Sequence, residues 1–347
     1  MLVGDGVENP WNARTMIDAA GMFGTRCIFR DRANLAGAWE EQGWSPAVLE
    51  STTIAHLQHD YAPIIACDNL DGAANIYGVR LASGSRPAVV VGNEQRGLAH
   101  DIQTMAHQAV QIPMASRALN CPNVATASAV ALYYLSRGSG PMGRAAHPQK
   151  RRPEVLMLGP LDHIELGSSI RSAGAFGWDR LFVDDRHAIW FGVDRITRSE
   201  GRGAARRGRN PIRVIPTPAG TLFAFQNVTI ITRSEAGIPL HHARLAGGTG
   251  QLIVIPDEDA IDLQREAWER FGKTVTLVHI DVPARDYMYH YRFIATIALA
   301  EIARQVGRPG PRDPGRPRQR TPFYDRALDM VEQELGETVL LEDLNLY

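Results

Sequence analysis

The sequence predicts an α/β protein built from two similar bodies in tandem, and three observations carry that prediction. Short apolar runs separated by helix-like stretches read as buried parallel strands alternating with helices. A block near the start of the chain recurs without gaps 153 positions later. Two stretches rich in Pro, Gly and Arg interrupt the chain where no packed element fits.

The repeat begins at Pro10, where PWNARTMIDAAGMFGTRCIFRD lies over HIELGSSIRSAGAFGWDRLFVD from His163. Ile17/Ile170, Ala20/Ala173, Gly21/Gly174, Phe23/Phe176, Gly24/Gly177, Phe29/Phe182 and Asp31/Asp184 are identical pairs. Self-similarity at a fixed period marks a copied structural unit. The apolar run 88–91 predicts a strand leading into GNEQRG, and 252–255 predicts its counterpart leading into PDEDAI. Runs 229–231 and 276–280 read as further strands. VQIPMASRALN from Val110 faces VHIDVPARDYM from Val278, and an alanine-rich helix follows each, at 124–135 and 293–303. Residues 1–137 therefore form one body, 138–153 a linker and 154–306 the second body. Residues 307–347 form a Pro/Arg-rich linker and tail, with a short amphipathic helix at 323–335.

Composition narrows the function. Lys and Arg number 37 against 38 Asp and Glu, so the basic excess usual for a protein living on long nucleic acid is missing. Cys27, Cys67 and Cys121 are odd in number and form no Cys-x-x-Cys. That excludes a disulfide framework or structural zinc as the organising principle and fits a reducing cytosol. Asp5 and Glu8 stand where a signal peptide needs a basic start, and no run approaches the ~18 apolar residues of a membrane span. A cytoplasmic protein without membrane contact is expected. His56-x-x-His59 and His241-His242 lack supporting carboxylates, so no metal site is expected.

Three ordered blocks resemble the SpoU/TrmH branch of the SPOUT methyltransferases, whose first block reads roughly D-P-x-N-x-G-x-x-x-R-x-A, second G-x-E-x-x-G, and third I-P-M followed by S-L-N and a helix. Gly92-Asn93-Glu94-Gln95-Arg96-Gly97 matches the second, and Ile112-Pro113-Met114 with Leu119-Asn120 matches the third. The resemblance implies two tandem trefoil-knot α/β domains packed as an intramolecular pseudo-dimer. It also implies S-adenosylmethionine as cofactor, held by Gly92, Asn93, Gly97, Ile112, Met114 and Leu119. Glycines at strand ends permit close backbone approach, and the apolar side chains suit an adenine.

Departures from the family pattern divide the work between the halves. Asp18 stands where the first block of the first body should carry arginine, whereas the second body keeps Arg171. Conversely, Pro256-Asp257-Glu258 replaces Gly-Asn-Glu in the second body, and Asp286-Tyr287-Met288-Tyr289 replaces the segment around Asn120. One composite site is expected, with Arg171, Glu94, Glu165 and Asn120 as catalytic residues in a monomer or homodimer.

The acceptor is read from His163, Glu165 and Arg171. Glu165 replaces the family asparagine and His163 its proline. A carboxylate there would suit a cation, and the rings of Tyr287, Tyr289, Tyr291 and Phe293 offer cation–π contacts or simply pack a helix. N-methylation of a small guanidino or amino acceptor such as free arginine is therefore placed first. Methylation of a ribose 2′-oxygen in rRNA or tRNA, the family habit, is the alternative, and a non-catalytic RNA-binding protein the third reading. The stretch 195–213, with seven arginines, suits phosphate contacts or forms a solvated loop.

Overall fold

The computed structural model describes residues 1–115, 121–136, 152–206, 212–233, 237–245, 250–257, 261–272, 275–284 and 290–307. The chain divides into two compact units. The first comprises Met1–Pro113, Pro122–Met142 and Val282–Tyr289; the second comprises Met114–Cys121, Gly143–Asp281 and His290–Tyr347.

In the first unit, strands β1 (Leu2–Asp5), β2 (Cys27–Arg30), β3 (Ile64–Cys67), β4 (Ala74–Asn75), β5 (Ala88–Val91) and β6 (Gln108–Gln111) form one parallel sheet in the order β2-β1-β5-β3-β6-β4. Strands β1, β3 and β5 are buried along their whole length, and β3 and β5 are accordingly continuous apolar runs. Helices α1 (Pro10–Met22), α2 (Leu35–Glu41), α3 (Ile54–Asp60), α4 (His100–Met105) and α5 (Val124–Leu135) complete the unit. Val3, Ile28, Ile64, Ala88 and Val90 pack with Leu57 of α3 and Ile102 of α4. Helix α5 is buried nearly all round and packs on α1, as expected of a helix apolar on every face.

The second unit contains β7 (Glu154–Leu158), α6 (His163–Ala175), β8 (Arg180–Asp184), α7 (Arg195–Ala204), β9 (Arg213–Pro216), β10 (Asn227–Thr232), β11 (Ile238–Pro239), β12 (Gln251–Pro256), α8 (Ile261–Phe271), β13 (Val275–His279) and α9 (Tyr291–Val306). Its sheet is also parallel, in the order β11-β13-β10-β12-β7-β8-β9. With the edge strand β9 set aside, its strands follow the same rank order as the first sheet. Phe182, Leu252, Val254, Ile230 and Phe225 form its core, and α9 packs on α6 as α5 does on α1.

The two repeat helices also start alike. The Asn9 side chain accepts from Trp11 N–H and Asn12 N–H, and that of Asp162 from Ile164 N–H and Glu165 N–H. Each cap contributes about 1 kcal/mol. The 195–213 stretch is not a single loop, although 207–211 lie outside the described residues. Residues 195–204 form α7, capped by Asp194, and Arg213 opens β9. Among the described residues no helix is long and apolar enough to cross a membrane.

Candidate active site

Strand β5 leaves the first sheet into Gly92, and the next residues close a tight loop. Asn93 and Gly97 exchange backbone hydrogen bonds of 3.0 Å each. The Asn93 side chain accepts from Gln95 N–H and Arg96 N–H at 2.8 Å and donates to the Gly6 carbonyl at 2.7 Å. Asn93 thus folds its own loop and ties it to the exit of β1. A Cβ on Gly92 would lie 2.3 Å from the Gly97 carbonyl carbon. Gly97 has φ +69°, and a Cβ there would lie 2.6 Å from Asp68 Oδ2. Only glycine fits either position. The Asp68 carboxylate accepts from Leu98 N–H at 3.0 Å, fastening the loop to the end of β3.

Glu94 stands at the head of a hydrogen-bonded chain. Its Oε1 accepts from Asn12 Nδ2 at 2.7 Å and its Oε2 from Glu8 N–H at 3.3 Å. Asn12 Oδ1 in turn accepts from Asn123 Nδ2 at 3.0 Å, while Asn123 Oδ1 caps α5 through Ala125 N–H at 2.8 Å. Residues from the first block, the second block and the start of the helix after the third are therefore linked in one line. Asn12 and Asn123 are additions to the predicted site. Their signals were the asparagine of the first block and an Asn-Val step directly before an alanine-rich helix, a favoured N-cap pattern. Asn120 and Leu119 lie outside the described residues. Ile112 is buried just past β6, and Met114, grouped with the second unit, is also buried.

In the second unit, Arg171 projects from α6. Its Nε donates to the Cys121 carbonyl at 2.5 Å and its Nη2 lies 3.6 Å from the Cys121 sulfur. Arg206 Nη1 reaches the same sulfur at 3.5 Å. Burial, then the neighbouring Arg206 charge, lower the Arg171 pKa from its ordinary value, yet a guanidinium remains cationic at neutral pH. Arg206 is brought there by a close crossing of α7 on α6. A Cβ on Gly167 would lie 2.5 Å from the Gly201 carbonyl oxygen, and one on Gly201 would lie 3.0 Å from the Trp190 ring. Gly201 in the arginine-rich stretch is thus held by packing, whereas Gly203 has open space around it.

Glu165 has other employment than the one the sequence suggests. Its carboxylate is buried and accepts from Arg292 N–H at 2.8 Å, Arg292 Nε at 2.6 Å and His290 Nδ1 at 3.1 Å, with Arg292 Nη2 also paired to it. Burial alone would raise its pKa; the His290 hydrogen bond and the Arg292 charge and hydrogen bonds outweigh that and bring it to about 2. The charge that was offered to an acceptor cation is already neutralised. His163 is likewise engaged, its Nε2 lying 3.0 Å from Glu200 Oε2. Asp257, successor to Asn93 in the second body, accepts from Leu161 N–H at 2.8 Å and pairs with Arg233 at 2.5 Å. Of the aromatic run, Tyr291 and Phe293 are core side chains, with Tyr291 Oη donating to the Ile255 carbonyl at 2.8 Å. Asp286, Tyr287, Met288, Tyr289 and Glu258 lie outside the described residues.

Comparison with known proteins places the first unit. Residues 1–133 match the model of the SpoU rRNA Methylase family. No curated protein matches the chain. Similar solved structures include an AdoMet-bound rRNA methyltransferase from Sinorhizobium meliloti, 25% identical over 39% of this chain and 54% of the other, with a TM-score of 0.32. The AdoMet complex of the SpoU methyltransferase AviRb from Streptomyces viridochromogenes is 20% identical over 39% and 56%, TM-score 0.31. The A. aeolicus TrmH/SpoU tRNA modifying enzyme is 20% identical over 40% and 73%, TM-score 0.32. The chain thus spans about half the length of the first two. The similarity to the SpoU rRNA Methylase family thus falls on residues 1–133, the segment that carries the Gly92–Gly97 loop.

Proposed function

We propose that this chain is an S-adenosylmethionine-dependent methyltransferase that acts on RNA, with a ribose 2′-oxygen as acceptor. One observation carries the reading: the segment matching an rRNA methylase family is the segment in which Asn12, Glu94 and Asn123 join in one hydrogen-bonded chain. Free arginine, the acceptor placed first on sequence grounds, loses its main support because Glu165 is held by Arg292 and His290. The likeness of strand order and helix caps in the two units supports a tandem duplication.

The first unit fits the cofactor. The glycine-limited loop after β5 and buried Ile112 after β6 stand at the carboxyl ends of two parallel strands that flank β3, where α/β sheets bind ligands. Of the residues read as its holders, Gly92, Asn93, Gly97 and Ile112 lie in this unit and would hold S-adenosylmethionine, which supplies an electrophilic methyl on a sulfonium. The protein's own tasks are to align a hydroxyl and manage its proton. Arg171, the arginine that the resemblance assigns to the acceptor, would stabilise negative charge developing on the ribose oxygen as the O–CH₃ bond forms and the hydroxyl proton passes to water. Glu94, oriented by Asn12, orders the loop beside it.

Incubating the protein with labelled S-adenosylmethionine and either total RNA or free arginine tests this. Label is expected in RNA, on a ribose after digestion to nucleosides. Label in arginine and none in RNA restores the small-molecule reading.

A further inference from the structure

We propose that Trp11, backed by Trp44 and flanked by Arg14, is a stacking platform for an unpaired base of the RNA acceptor; this rests on the RNA reading above. Trp11 is 57% exposed and occupies the first turn of α1, one residue before the Asn12 that grips Glu94. A line of three indoles runs outward from the core. Trp39 is buried and donates from its ring nitrogen to the Ser45 carbonyl at 3.0 Å. Trp44 packs on Trp39 with centroids 4.7 Å apart at 71°, and Trp11 on Trp44 at 4.7 Å and 83°. The outermost ring is thus held at a fixed angle by two others.

Near-perpendicular packing on Trp44 uses at most one face of the Trp11 ring, and the residue's high exposure leaves ring surface for a flat ligand. Arg14 lies three residues on, on the same side of α1, with its guanidinium carbon 4.9 Å from the Trp44 ring centroid. An exposed indole packed on Trp44, with the Arg14 cation over that same Trp44 ring, offers the two surfaces a nucleotide needs, a π face and a charge for phosphate. The neighbouring positions in sequence are wrong for a protein partner: Asn9 and Arg14 are exposed and Glu8, half-exposed, is paired with Arg96. A docking face needs contiguous apolar area, and here one ring stands among polar groups.

The test measures binding of a fluorescein-labelled short oligoadenylate to the full chain, together with methylation of RNA, for wild type, Trp11→Ala and Trp11→Phe. Base–aromatic stacking predicts about 5- to 150-fold weaker binding for W11A, with W11F within a few-fold of wild type and calorimetric cofactor affinity confirming an intact fold. Equal binding and methylation by W11A and wild type would overturn the platform while leaving the RNA reading standing. A wild type that neither binds nor methylates any RNA removes both. A change of sedimentation in W11A with unchanged oligonucleotide affinity overturns the platform and assigns the ring to contact between copies of the chain.

Discussion

Replacing Glu165 by glutamine removes one charge from a buried cluster and leaves Arg292 and His290 facing a neutral amide. Its magnitude follows from two independent routes. The carboxyl titrates at about 2 rather than its ordinary 4.5, and at ~1.4 kcal/mol for each pH unit this is ~3 kcal/mol of stability. Breaking a buried ion pair from one side costs ~3–5 kcal/mol, which agrees. The sign is set by the depressed pKa: the contribution is complete above pH 4.5 and disappears as pH falls towards 2. Two compact units make global unfolding a poor two-state measurement, so hydrogen exchange of the α6 and α9 segments is the appropriate assay. The Arg292 amide, bonded to Glu165 at 2.8 Å, is the most direct reporter. At pH 7 the variant should open ~3 kcal/mol more easily than wild type, and the difference should shrink towards zero near pH 2. A difference below ~1 kcal/mol at pH 7, or one independent of pH, would refute the assignment of Glu165 to an ion pair. Unchanged stability with lost methyl transfer would return it to the acceptor.

Two further outcomes test the division of roles. Gly97→Ala forces a side chain to φ +69° and within 2.6 Å of a carboxylate oxygen; strain of ~1–3 kcal/mol should weaken S-adenosylmethionine binding about 5- to 150-fold. The same calorimetry on wild type should count one cofactor per chain. Arg171→Ala should lower kcat by at least about a hundredfold while cofactor affinity changes less than about threefold; loss of cofactor binding instead would assign Arg171 to the donor.

What the sequence made legible follows from where local chemistry is self-sufficient. Helix α5 begins and ends where expected because an alanine-rich apolar run is bounded by the Asn123 cap. The buried strands read clearly, but β10 and β12 run past their apolar runs at both ends, since pairing continues past the last apolar residue, and β13 is displaced one residue towards the N-terminus, at Val275–His279. The two-residue strands β4 and β11 have too little pattern to register. Helix α7 was hidden by its arginines and glycines, whose place depends on the crossing with α6. Gly92, Asn93 and Gly97 were legible because their loop admits few residue types. The Cys121 carbonyl that receives Arg171 was not, as a backbone acceptor leaves no mark in a sequence. Nor were the partners of Glu165, which come from 125 and 127 residues away.

The same contact carries different chemistry in the two units. The residue capping the final helix touches the third residue of the repeat helix in each: Asn123 meets Asn12, and His290 meets Glu165. An amide both donates and accepts, so Asn12 passes its NH₂ to Glu94 and its oxygen to Asn123, linking two loops at once. An ionised carboxylate only accepts. Glu165 therefore cannot donate to a second carboxylate in the manner of Asn12, and a glutamate held close by would repel it. What the position then requires is a cation, which Arg292 provides. On this reasoning the exchange of asparagine for Glu165 goes with a change of partner from a carboxylate to Arg292, even though the sequence keeps a glutamate, Glu258, at the position equivalent to Glu94.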